Sequence, residues 1–77
     1  MTAMIEFTQE SFDRLAGCLA DGSSLRVAFQ NAAFVFGPDG PESFVVYCSE
    51  DEVQALLEIA KRHCPQAVWE IGRRKYL

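Results

Sequence analysis

Residues 48–64, CSEDEVQALLEIAKRHC, gather most of the side chains in this chain that could do chemistry. Cys48 and Cys64 bracket the segment, Glu50, Asp51 and Glu52 open it, and Lys61, Arg62 and His63 close it. These types allow a thiolate nucleophile, a histidine acid or base, or a pair of working carboxylates. Their spacing argues against each. A thiol just before a helix N-terminus gains from the helix dipole, but the three acids beside Cys48 oppose a thiolate. His63, the only histidine, falls in the last helical turn, where positive charge is favoured without any catalytic role. The acids stand where a helix start wants them. Zinc ligands come in pairs two to four residues apart, whereas the cysteines lie 30 and 16 residues apart and His63-Cys64 is adjacent. GPDGP, residues 37–41, lacks the Lys-Ser/Thr of a phosphate loop and reads as a turn. The chain is therefore expected not to be an enzyme and to hold no cofactor or metal.

The elements that position these groups follow from hydrophobic periodicity. Ala3, Ile5 and Phe7 alternate with Met4 and Glu6, the period of a half-buried strand. Thr8 offers an N-cap, and Phe12, Leu15, Ala16 and Leu19 form one helical face that Gly22 ends. LRVAF (25–29), AAFVF (32–36) and SFVVYC (43–48) read as three further strands, the last two separated by GPDGP. Ser49 and Glu52 form a capping box. Val53, Leu56, Leu57 and Ala60 repeat the helical face, and Pro65 stops it. AVWEI (67–71) alternates as a fifth strand, and residues 73–77 read as a frayed basic end.

At an offset of 41 residues the pattern of strand, cap and helix recurs: Thr8 matches Ser49, and Phe12, Leu15, Ala16 and Leu19 match Val53, Leu56, Leu57 and Ala60. The expected fold is a single α+β domain over residues 1–77. It has one sheet of about five mostly antiparallel strands with two helices on one face, in the order β-α-β-β-β-α-β, a ferredoxin-like variant. With a two-residue loop at Gln30-Asn31, rather than an odd-length one that would reverse the faces, parity places Phe34 and Phe36 toward the helices, with Val27, Phe29 and Trp69. It leaves Val35, Val45 and Tyr47 on the far face, with Glu6, Val68 and Glu70. Such a half-apolar face is what a partner would cover.

Hydrophobic residues make up 49% of the chain and charged residues 23%, the usage of a folded globule rather than a disordered segment. Nothing approaches the roughly 20 apolar residues needed to cross a bilayer, so no membrane role is expected. Three cysteines without a secretory leader point to free thiols and a cytoplasmic location. The net charge is −4, but it is unevenly spread. Residues 1–60 hold only Arg14 and Arg26 against ten acids, and five of the seven basic residues lie beyond position 60. Arg73, Arg74 and Lys75, near Trp69 and Tyr76, could track a nucleic-acid backbone. The acidic body repels phosphate, so direct nucleic-acid binding is not the expected function.

What remains is binding to protein. Carboxylates on a rigid surface, with Glu50, Asp51, Glu52, Asp39 and Glu42 as the candidate patch, can occupy a basic groove and imitate a phosphate track. In size, acidity and lack of an enzyme signature the chain resembles the small phage-encoded anti-CRISPR proteins. That resemblance implies a short, single-domain inhibitor that blocks a nucleic-acid-binding complex in the cytoplasm of a bacterial host. The leading expectation is thus a non-enzymatic, acidic inhibitor of a larger protein with a basic surface. The alternative is a self-associating or accessory module, a homodimer among its forms, that uses the exposed sheet face at Val35, Val45 and Tyr47. A second alternative is a nucleic-acid binder acting through Arg73, Arg74 and Lys75.

Overall fold

The computed structural model describes residues 1–77. The element order is β1 (Thr2–Thr8), α1 (Gln9–Ala16), α2 (Ser24–Gln30), β2 (Ala33–Gly37), β3 (Gly40–Ser49), α3 (Glu50–His63), α4 (Pro65–Gly72) and β4 (Lys75–Tyr76). The strands form one antiparallel sheet in the order β2-β3-β1-β4. The fold is α+β with a single antiparallel sheet, as the pattern predicts, but it has four strands and four helices rather than five and two.

Two of the expected strands are helices. Residues 25–29 lie in α2 and residues 67–71 in α4. A five-residue alternation also satisfies the i, i+4 spacing of a helix, so the window alone does not separate the two. Local chemistry decides. The Ser23 hydroxyl accepts from the Arg26 amide at 3.1 Å and caps α2. Pro65, which ends α3, is also the first residue of α4, where its missing N–H costs nothing. Leu25 and Phe29, and likewise Ala67 and Ile71, are the i, i+4 pairs that turn inward. Val27 and Trp69, expected to face the core, are 48% and 66% exposed.

Other boundaries move less. Thr8 caps α1, its hydroxyl accepting from the Ser11 amide. That helix stops at Ala16 rather than running to Gly22, and Leu19 reaches the core from the following turn. The capping box at α3 forms as expected, with the Glu52 amide donating to Ser49 Oγ and the Ser49 amide donating to Glu52 Oε1. Residues 75 and 76, expected as part of a frayed end, pair with Met4 and Ala3, and the Leu77 amide donates to the Thr2 carbonyl.

The offset-41 repeat corresponds to two halves, β1-α1-α2-β2 and β3-α3-α4-β4. Their first strands, β1 and β3, pair at the centre of the sheet from Thr2↔Ser49 to Thr8↔Ser43. The core lies on one side of these two strands. Ala3, Ile5, Phe7, Val46 and Cys48 meet Leu15, Leu25, Phe29, Val53, Leu56, Ala60, Ala67 and Ile71 there. No residue of β2 or β4 belongs to that cluster.

Candidate functional site

Three surface regions carry the residues singled out by the sequence. The first is the acidic start of α3. Glu52 is committed to the capping box, and the Ser49 backbone N–H holds its carboxyl below the ordinary 4.5. Glu50 accepts from the Tyr76 hydroxyl, and Arg74 approaches it at 3.8 Å. Asp51 is left exposed without an ion pair. Asp39 lies at the tip of the β2–β3 turn and Glu42 near it in β3. Seven residues of strand, 43–49, at about 3.3 Å each separate Glu42 from Glu50. The five acids therefore stand at opposite ends of β3 and do not make one patch.

The cysteines are dispersed. Burial, reinforced by Glu52 and Glu50, pushes the Cys48 thiol up to about 11, so it stays protonated at neutral pH. Cys64 is buried between α3 and α4, while Cys18 is exposed and donates to the Arg14 carbonyl. No three His, Cys, Asp or Glu side chains gather where they could hold a metal ion.

The second region is a groove of about 420 Å³ between α4 and the helix-free sheet face. Met4, Glu6 and Val45 line it from the sheet, and Trp69, Glu70 and Arg73 from the helix. Of the three basic residues, Arg73 and Lys75 line this groove together and Arg74 does not. Arg73 lies over the Trp69 ring at 4.8 Å, Lys75 pairs in β4 beside Met4, and Arg74 turns to Glu50 and Tyr76. Glu70, expected on an open sheet face, is 7% exposed. Its Oε2 accepts the Thr8 amide at 2.9 Å, and its Oε1 has no partner. The carboxylate thus occupies the edge of β1 beyond the short β4.

The third region is β2, the opposite edge. Pairing of Ala33 with Val45 and Val35 with Ser43 puts Val35, Val45 and Tyr47 on the helix-free face, where the sequence predicts them. Val35 and Tyr47 are 42% and 43% exposed. Phe34 pairs with Phe44 and so lies on the helix side, again as parity requires. The core it was expected to join does not extend that far. The helices cover β1 and β3, and Phe34 and Phe36 remain 54% and 69% exposed.

Both faces of β2 are therefore bare, and its outer edge is unpaired. Rigid neighbours nevertheless hold the strand in place. Phe36 packs on Phe34, Phe34 on Phe44, and Phe44 on Phe12, an aromatic chain that continues into the core through Phe29. Gly40, at φ +120°, closes the turn with Gly37 as its pairing partner. Glu42 folds over Gly37 so closely that a β-carbon there would collide with it. Between Val35 and Phe36 the register shifts, which leaves Glu42 as the extra residue of a bulge in β3.

The exposure of Phe34 and Phe36 does not follow from parity, which describes the face a residue takes and not how far the opposing layer reaches. No signal in the sequence points to it: AAFVF has no charge and no proline, the usual protections of an outer strand, and so reads as a covered one. No protein-family model, curated protein or solved structure matches the chain, so the resemblance to anti-CRISPR proteins gains no support from such comparisons.

Proposed function

We propose that this chain is a non-enzymatic protein-binding module, built on a ferredoxin-like arrangement, that docks by pairing β2 with an extended strand of another polypeptide. One observation carries this reading. Ala33, Phe34, Val35 and Phe36 are all exposed although they lie in a paired, regular strand. Main-chain hydrogen bonds along such an edge supply affinity, and alternate side chains supply selectivity. The unpaired thiols agree with a cytoplasmic setting.

The acidic-inhibitor version has less behind it. Two of its three central carboxylates serve the capping box and the Tyr76–Arg74 contact, and the other two acids lie at the far end of β3. The two versions part on salt and on mutation. In affinity capture with the tagged protein, docking through β2 predicts a partner that stays bound at high salt and is lost with Phe36→Lys. An acidic interface predicts loss at high salt and with Asp51→Lys, since exposed charge pairs are screened. Capture that ignores Phe36→Lys would count decisively against the β2 edge.

A further inference from the structure

We infer that the groove between α4 and the helix-free sheet face is a second binding site, which takes a small zwitterion of about dipeptide length with its amino and carboxyl ends free. It lies toward the edge opposite β2 and is independent of the docking proposed there. One face of α4 forms its wall, since Gln66, Trp69, Glu70 and the C-cap Arg73 follow at i, i+3, i+4 and i+7. Met4, Glu6 and Val45 form its floor, and Lys75 stands beside Met4. Its volume of about 420 Å³ falls in the range of small-molecule sites, roughly 300–1,000 Å³.

Two acids and two bases share this groove, yet neither Glu6 nor Glu70 makes an ion pair with Arg73 or Lys75. Other partners hold three of them in place. The Ser43 hydroxyl donates to Glu6 Oε2 at 2.6 Å, the Thr8 amide donates to Glu70 Oε2, and Arg73 lies over the Trp69 ring. Glu70 is only 7% exposed, and its Oε1 has no donor. A buried carboxylate oxygen left unmatched is costly, and an ammonium suits it best, because it brings charge as well as N–H groups. A purely cationic ligand would meet Arg73 and Lys75, and a purely anionic one would meet Glu6 and Glu70. A zwitterion satisfies both poles, and its charges cancel as those of the lining do.

The poles are set apart along the groove. Glu70 reaches Thr8 at the end of β1, whereas Lys75 pairs beside Met4, and Glu6 lies between them. Two residues of strand, about 7 Å, separate Met4 from Glu6. Three residues of helix, about 4.5 Å, separate Glu70 from Arg73. A free amino acid carries both charges on one carbon, while an extended dipeptide spans about 7 Å. The amino end is thus placed between Glu6 and Glu70, and the carboxylate between Arg73 and Lys75. Met4, Val45 and Trp69 supply the apolar surface for the side chains.

Trp69 is the sole tryptophan and is exposed, so its fluorescence reports on the groove directly. Titration of the full chain with leucyl-leucine should change that fluorescence and saturate. Acetylating the amino end or amidating the carboxyl end should each weaken binding by about tenfold or more, since each removes a charged contact. Leucine should also bind more weakly than the dipeptide. Glu6→Gln and Arg73→Gln, both at exposed positions, should weaken leucyl-leucine by a similar factor. Glu6→Gln should not further weaken N-acetyl-leucyl-leucine, whose amino end has already lost its charge, and this separates a contact from an effect on folding. The absence of a saturable change with leucyl-leucine overturns the inference, as does undiminished binding of the dipeptide blocked at both ends. Leucine that binds as tightly as leucyl-leucine overturns the assigned length.

Discussion

β2 and β4 hold equivalent places in the two halves of the chain, each ending a strand–helix–helix–strand unit at one edge of the sheet. They are finished in opposite ways. β4 has two residues, one of them Lys75, and its Tyr76 is tied to Glu50 and Arg74. Past β4, Glu70 of α4 accepts the Thr8 amide at the far end of β1. β2 has five residues without a charge, bare on both faces. Short strands, lysines, inward-pointing acids and covering helices are the means by which proteins prevent unwanted strand pairing. This chain applies all of them to one edge and none to the other. That open edge is the surface we propose for docking.

Four substitutions probe the contrast between the two edges. The largest effect should come from the central strand that both halves share. Phe7→Ala should cost about 3–5 kcal/mol in denaturant unfolding, since Phe7 is fully buried. A cost below about 1 kcal/mol, the size of an ordinary substitution, would mean that the halves do not depend on a common core. Next is the closed edge. Glu70→Ala leaves the Thr8 amide without its acceptor and should cost about 1–3 kcal/mol. It should also speed hydrogen exchange at Thr8, and unchanged protection there would show that Glu70 does not close the edge.

A smaller effect concerns the start of α3. Glu52 is held below its ordinary 4.5 in the folded chain. Its contribution is therefore complete above that pH and fades as pH falls through the lower folded value. A thermal melt of Glu52→Gln should show a weaker loss of stability between neutral and acid pH than the wild type; parallel pH curves would remove Glu52 from the account. The smallest effect belongs to the open edge. Phe36→Lys should change the stability of the monomer by no more than about 0.5 kcal/mol, because the site is on the surface. A cost near that of Phe7→Ala would show that β2 is covered after all and would erase the contrast between the edges.

Several parts of this architecture are legible in the sequence. Thr8, Ser49 with Glu52, and the GPDGP turn each act within a few residues, so their meaning travels with the chain. The face of each central strand is legible too, because alternation along a strand is geometric: Ile5, Phe7, Val46 and Cys48 turn inward, and Val45 and Tyr47 do not. The segments 25–29 and 67–71 are not legible from periodicity, since five residues satisfy both repeats. Ser23 and Pro65 hold the missing information. Pro65 announces a helix start as well as a helix stop, and only the start explains why Ala67 and Ile71 are buried while Trp69 between them is exposed.

The candidate site is only half visible in the same way. Val35 and Tyr47 fall on the exposed face that parity assigns them. Phe34 and Phe36 fall on the helix side, where a sequence argument expects a core, yet no core reaches them. The chain by itself determined its caps, its turn and the inward side of its central strands, because those depend on near neighbours. Tertiary structure alone decided how far the helices extend across the sheet, that Glu70 closes one edge, and that β2 is left open. These depend on where α2 and α4 come to rest against strands distant in sequence, as in the Glu70–Thr8 contact across 62 residues.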